Sequence, residues 1–278
     1  MSKWSRLEKK ATQIRILLTE ALLEAGSGHW GGSLDLADVW SALLFYPVVK
    51  YNSKKPNWPE RDRVILSCGH TCPAFYSALA LAGYFPIKEL KTLRKLNSRL
   101  QGHPHIGEPP GIESTTGPLG QGYSFAVGIA TAGKMDGKKW RVWMISSDGE
   151  HQEGQVWEAA MKASHLKLDN LTVILDRNYL QIDGNTEDIN ALDPLADKYK
   201  SFGWNVIEID GHNIEEIVDA CNQARESHNK PTVIIAHTTM GKGVPFIENN
   251  AKYHGIAPTA DEAGKALKLL KKKLNNLS

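Results

Sequence analysis

Apolar positions along the chain alternate between helical spacing and short uninterrupted runs. Over residues 5–25, Leu7, Ile14, Leu17, Leu18 and Leu22 recur at helical intervals. Gly26-Ser-Gly-His-Trp-Gly-Gly-Ser33 then breaks the pattern, and Ser33 suits the cap of an apolar helix through Phe45. Residues 63–67 read as a buried strand, leading through Cys68-Gly-His-Thr-Cys72 into a helix that reaches about Leu81. A helix over 121–134 follows, with Gly122 and Gly128 available for close packing. Strands come next at 141–147, 171–175, 205–209 and 232–237, separated by helical stretches at 156–165, 193–202 and 214–227. Strands that are apolar throughout and alternate with helices predict an α/β fold, a doubly wound, mostly parallel sheet with helices on both faces. No repeat or linker divides this core, so the expected organisation is one domain over 1–260 and a basic helical tail over 261–278. Residues 101–122 are rich in Gly, Pro and His and too long for an idle connector, which makes them a candidate functional loop.

Composition narrows the function classes. The apolar share of 41% and charged share of 23% are those of a globular protein rather than a disordered one. A formal charge of +2 gives no reason to expect nucleic acid. The basic run 265–273 reads as the solvated face of a terminal helix. The N-terminal residues lack the pattern of a signal peptide, and no apolar run is long enough to span a bilayer. Three cysteines, sparse and odd in number, fit a reducing setting, and the expected location is cytoplasmic.

The chemistry concentrates at two strand ends. Asp148 follows the strand over 141–147 and Asn178 the strand at 171–175, with a helical crossover between them, so the two side chains should meet at one rim of the sheet. An Asp oxygen, an Asn amide oxygen and a backbone carbonyl suit a hard cation such as Mg²⁺ or Ca²⁺, with a phosphate completing the shell. Thr115-Thr-Gly-Pro-Leu-Gly-Gln-Gly122 presents backbone N–H groups at a helix start, which suits an anion. Its GxxGxG spacing, with no strand immediately before it, does not match the dinucleotide fingerprint. His29, His70, His103 and His254 each neighbour glycine, which lets backbone approach a ligand and leaves the imidazole accessible to sugar hydroxyls or phosphate. Cys68 and Cys72 flank His70, but no fourth ligand is in sequence reach, so small buried thiols are expected rather than zinc. Glu150 and Glu153 read either as first-turn acids favoured by the helix dipole or, for Glu153, as a contact to a partner chain.

SGHWGGS, LSCGHTCPAFYSALALAGYF, GHPHIGEPPGIESTTGPLGQG, SDGEHQEGQVWEAA, DRNYLQIDG and HGIAP occur in this order over most of the chain. Together they resemble the diphosphate-binding half of transketolase. The resemblance implies thiamine diphosphate as cofactor with Mg²⁺ or Ca²⁺, the metal being held by Asp148, Asn178 and the carbonyl of Leu180. It places His70, Gly149 and His254 around the diphosphate, and Gly117, Pro118 and Leu119 against the thiamine. His29, His103 and His254 would line the substrate channel as the catalytic histidines. Glu153 would join a carboxylate network across a subunit interface, and His212 would have a packing role. Four departures stand out: Ser147 and Arg177 beside the metal residues, and Trp30 and His105 near the expected channel, where they bear on sugar preference. The sequence carries no pyrimidine-binding domain, whose glutamate activates the cofactor and whose arginines bind sugar phosphate. The resemblance is therefore to the N-terminal subunit of a split transketolase, requiring a C-terminal partner subunit in a heterotetramer and acting on sugar phosphates. The alternatives are the α subunit of a 2-oxoacid dehydrogenase or deoxyxylulose-phosphate synthase type of enzyme, and a non-catalytic cofactor-binding subunit.

Overall fold

The computed structural model describes residues 3–277. Its strands are β1 (Arg63–Leu66), β2 (Val142–Ser147), β3 (Leu171–Arg177), β4 (Leu180–Gln181), β5 (Gly184–Asn185), β6 (Asn205–Asp210) and β7 (Thr232–His237). Five of them form one sheet in the order β1-β2-β3-β7-β6, every pair parallel, while β4 and β5 make a small antiparallel hairpin just beyond β3. The helices are α1 (Ser5–Ala25), α2 (Gly31–Asp35), α3 (Ala37–Phe45), α4 (Cys72–Leu81), α5 (Gln121–Met135), α6 (Gly154–His165), α7 (Thr186–Asn190), α8 (Leu195–Ser201), α9 (Ile214–Glu226) and α10 (Ala260–Asn276).

The uninterrupted apolar strands are explained by two cores, one on each face of the sheet. Successive strand side chains point to opposite faces. Along β2, Trp143 and Ile145 therefore join the core built with α1, α3, α4 and α9, while Val142 and Met144 join that of α5, α6 and α8. The doubly wound expectation is what the structure shows.

Local departures have local causes. The helix expected to start at Ser33 begins earlier, at Gly31, and is divided at Leu36 into α2 and α3. Ser33 lies inside α2, its hydroxyl turned back to donate to the His29 carbonyl at 2.6 Å, so it caps nothing. The helix expected from residue 193 starts at Leu195, because Asp193 precedes Pro194 and is biased away from helical backbone. Gly122 is required where the start of α5 packs against the end of β1: a methyl there would lie 2.6 Å from the Ser67 Cα. Gly128 has no such duty, for a methyl on it would meet open space. At the other end, α10 opens with a capping box of Thr259 and Glu262 and buries Ala263, Ala266 and Leu270 toward α1. Its lysines stay at the surface, Lys265 beside Asp261 and Lys271 beside Glu20.

Candidate active site

In a parallel sheet with helices on both faces, ligands bind beyond the carboxyl ends of the strands. Here the register pairs Ser147 with Asp176, so Asp148 leaves β2 directly beside Arg177 and Asn178. The space beyond them is a cavity of about 340 Å³. Asp148, Asn178, Leu180 and Gly149 line its floor, and His29, His70, His103 and His254 its wall. Gly117, Leu119 and Glu153 complete the expected set at its edge, Glu153 being solvent-exposed. Pro118 is exposed and outside the lining.

Asp148 is almost fully buried and accepts three hydrogen bonds: from Gly149 N–H at 2.7 Å, Tyr179 N–H at 2.6 Å and Arg177 at 3.3 Å. A carboxylate has about four acceptor positions, so one is left to face the cavity. Burial pushes its pKa up to about 6, against the opposing pull of Arg177 and the two N–H groups. Tyr179 reaches Asp148 because it adopts a left-handed backbone, φ +64°, rare for a bulky residue and stored where the site needs it. Arg177 stacks over the Tyr179 ring at 3.9 Å and also pairs with Glu187 and Asp193.

The orientation of Asn178 is set from beneath. Its Nδ2 donates to Asp35 at 3.0 Å and to Asp176 at 3.1 Å, so Oδ1 must face the other way, where it accepts Leu180 N–H at 2.9 Å and keeps one lone pair for the cavity. Asp35, Asp176 and Asn178 are all buried. Burial pushes both carboxyls up, aided at Asp35 by the nearby Asp176 and at Asp176 by Asp148. Two carboxylates this close cannot both ionise, so the pair holds a proton. Asp176 also accepts from the Thr238 hydroxyl, which leaves Asp35 as the protonated partner.

His29, His70 and His254 form a mutually touching set, with ring centroids 4.9 Å, 6.0 Å and 5.7 Å apart. Burial lowers the pKa of each, His29 to about 4, and lowers that of the more exposed His103 as well. The wall is therefore neutral imidazole at pH 7, able to donate and accept hydrogen bonds. Three polar atoms on it have no partner among the described residues: His29 Nδ1, His254 Nδ1 and Gln181 Oε1. A ligand rich in hydroxyls would satisfy them.

Glu150, which reads in sequence as a first-turn acid, and His151, which no spacing marks, are bracing groups. Glu150 is wholly buried and accepts from Ser67, Ser146 and Gly120 N–H at 2.7 Å, so it ties the ends of β1 and β2 to the glycine loop. His151 donates from Nδ1 to the Ser147 carbonyl, and its Nε2 meets the hydroxyls of Tyr123 and Tyr199. Trp30 and His105 do not face the cavity. Trp30 is wholly buried, donating to Thr19 and packing near Phe246 and Tyr253, while His105 lies on the exposed loop. His212 lies outside it too, joining Asp38 at 2.9 Å to the N–H of Thr239 at 2.8 Å. Cys68 and Cys72 are buried thiols, Cys72 pushed up to about 12 by burial, and no cluster of His, Cys, Asp or Glu among the described residues is arranged for a metal.

A single oxygen-donor floor beneath a neutral histidine wall, at the carboxyl edge of a parallel sheet, belongs with thiamine diphosphate-binding domains. The model for transketolase, thiamine diphosphate binding domain, matches residues 7–274, and the chain belongs to this family. It is 47% identical to the 6-deoxy-6-sulfo-D-fructose transketolase subunit of Clostridium sp. (strain MSTE9), over 92% of each chain. It is 39% identical to an apulose-4-phosphate transketolase subunit of Phocaeicola vulgatus, over 98% of this chain and 96% of that one. The transketolase of Pichia stipitis solved with sedoheptulose-7-phosphate superposes with a TM-score of 0.91 at 35% identity, covering 98% of this chain. The chain spans only 41% of that structure, yet nearly the whole of the relatives named as subunits.

Proposed function

We propose that this chain is the N-terminal subunit of a two-subunit transketolase, moving a two-carbon ketol unit between sugars that end in a phosphate or a related anion. The observation that carries this reading is the meeting of the oxygen floor and the histidine wall in one cavity, alongside relatives of the same length named as transketolase subunits. Asp148, Asn178 Oδ1 and the Leu180 carbonyl are hard donors that fit Mg²⁺ or Ca²⁺. His70, His254 and the N–H-rich turn at Gly149 would hold the diphosphate, and Gly117 and Leu119 the thiamine. Bound there, thiamine diphosphate supplies the electron sink for breaking and making the carbon–carbon bond.

The chain's own residues bind and orient. His29, His103 and His254, neutral and partly unpartnered, would grip sugar hydroxyls and stabilise alkoxide charge as it develops, a role suited to donors already in place. Burial of Asp148 and Asn178 would keep water from the oxygens that face such a cation. Glu153, exposed at the rim, would reach a neighbouring subunit. The partner we propose is a C-terminal subunit carrying the pyrimidine-binding domain, assembled as a heterotetramer in the cytoplasm. No helix among the described residues is long and apolar enough to cross a membrane. Co-purifying both subunits and supplying xylulose 5-phosphate or 6-deoxy-6-sulfofructose with an aldose phosphate tests the proposal. Ketol transfer that needs both subunits, metal and cofactor is expected; a replete complex that transfers from no donor would overturn it.

A further inference from the structure

Between β7 and α10 the chain runs from residue 238 to 259 with no regular element beyond the short turn Ala251–Tyr253. This strap carries His254 to the cavity wall, so its course decides where that imidazole stands. A stretch this long without helix or strand is held by its contacts rather than by a backbone ladder. Those contacts converge on the turn that carries His29. Gly241 N–H donates to the Gly31 carbonyl, and Trp30 N–H to the Ile256 carbonyl, both at 3.3 Å. Gly31 has no room for a side chain: a methyl on it would lie 3.0 Å from Met240 and from the Tyr253 carbonyl oxygen. A methyl on Gly255, the residue after His254, would lie 3.8 Å from His29 Nε2.

One large side chain fills the space behind these contacts. Trp30 is wholly buried; its ring centroid lies 6.3 Å from that of Phe246 and, edge-on, 6.2 Å from that of Tyr253, the residue before His254. The indole N–H donates to Thr19 on α1 at 3.0 Å, which fixes the rotation of the ring. Tyr253 is held at its far end as well, its hydroxyl donating at 2.9 Å to Glu262 in the capping box of α10. From one position Trp30 therefore joins the backbone beside His29 to the side chain beside His254. The two imidazoles stand 6.0 Å apart, each with an Nδ1 that has no partner among the described residues.

We infer that Trp30 is a positioning residue: its indole sets the separation of His29 and His254, and with it their grip on the donor sugar, without touching the sugar itself. The inference rests on the proposed ketol transfer for the role of the two histidines, and on the packing of the strap for their spacing. A smaller side chain lets the strap settle toward α1 and draws His254 away from His29. Displacing a binding group by about 1 Å from a site remote from the chemistry can cost about 10²-fold in rate.

The test uses Trp30→Phe, which shortens the ring and drops the N–H, and Thr19→Val, which leaves the indole in place and removes only its acceptor. In the reconstituted complex, saturated with Mg²⁺ and thiamine diphosphate, kcat/KM for ketol transfer should fall about 10- to 100-fold in Trp30→Phe and by less in Thr19→Val, with cofactor affinity unchanged. The second readout needs no activity: the NMR signal of the His29 Cε1–H in the full chain without cofactor, followed from pH 8 down to pH 5. Burial holds the His29 pKa at about 4, with His254, His103 and Arg94 facing it and His70 touching its ring. The wild-type signal should therefore stay at its neutral position over this range, while that of Trp30→Phe begins to move as the wall opens. An unmoved His29 signal in Trp30→Phe overturns the inference, whether activity is retained or lost, because any loss then arises elsewhere. Should Trp30→Phe not fold, Phe246→Ala, at a position 40% exposed on the strap side of the same contact, is read in the same two ways. A wild-type complex that transfers no ketol unit overturns the proposed function alone, and the His29 signal still decides the spacing.

Discussion

Replacing Asp35 with Asn tests the layer that aims Asn178 into the cavity. The amide is isosteric with the carboxyl, its oxygen can accept from Asn178 and its NH₂ can donate to Asp176, so the contacts survive while the proton disappears. In the wild type the Asp35–Asp176 pair keeps a proton that the unfolded chain has lost above about pH 4. The folded pKa is raised, so the pair's contribution to stability is complete below about pH 4 and is lost as the pH climbs toward the folded value. The loss runs at about 1.4 kcal/mol per pH unit for each proton retained. Between pH 5 and 7 the advantage of Asp35→Asn over wild type should therefore widen by roughly 3 kcal/mol, a midpoint displacement on the order of 1 M urea. Urea denaturation at pH 5, 6 and 7, with chelator and without cofactor, measures it. Asp148 and Glu150, also pushed up by burial, are common to both proteins and cancel in the difference. Stability curves that run parallel across this range would show that the pair holds no extra proton, and the reasoning would fail.

Three further outcomes follow from the same geometry. Asp148→Ala removes the carboxylate of the proposed metal set. The concentration of Mg²⁺ needed to raise the melting temperature in the presence of thiamine diphosphate should increase beyond the roughly 10- to 100-fold typical of losing an outer hydrogen-bond partner. His103→Ala should lower kcat/KM for ketol transfer by about 10²- to 10³-fold, with cofactor affinity, read by fluorescence quenching, changed far less. His212→Ala leaves Asp38 and the Thr239 N–H each short of a partner. It should cost about 1–3 kcal/mol in chemical denaturation while the Mg²⁺ and cofactor titrations stay in place.

The strand–helix alternation made the fold legible, because a strand buried on both faces must be apolar at every position, as Val142–Ser147 and Leu171–Arg177 are over most of their length. Asp148 and Asn178 were legible for a related reason: each is a polar residue just beyond such a run. The layer under them was not. Asp35 closes the short helix α2, and Asp176 is a strand residue whose partner lies far away in sequence, so no local spacing marks the pair. Glu150 looked like any acid at a helix start, and only its burial against Ser67, Ser146 and Gly120 gives it a different duty. Trp30 shows the converse limit. A glycine-rich stretch indicates that backbone comes close to something but not where the one large side chain within it points, and here that side chain points into the core.

Glu150 and Asp148 sit two positions apart on one turn, yet they govern different stretches of backbone. Asp148 faces the cavity floor, while Glu150 grips Gly120 N–H and so fixes the glycine loop at the cavity edge. The turn cannot shift to suit one without displacing the other. A cation and thiamine diphosphate bound as proposed would thereby be joined in a thermodynamic cycle: whatever factor the cation contributes to the affinity for the cofactor, the cofactor must return to the affinity for the cation. If cation and cofactor bind as proposed, the short stretch from Asp148 to Glu150 would make the two ligands a single cooperative cargo rather than two independent ones.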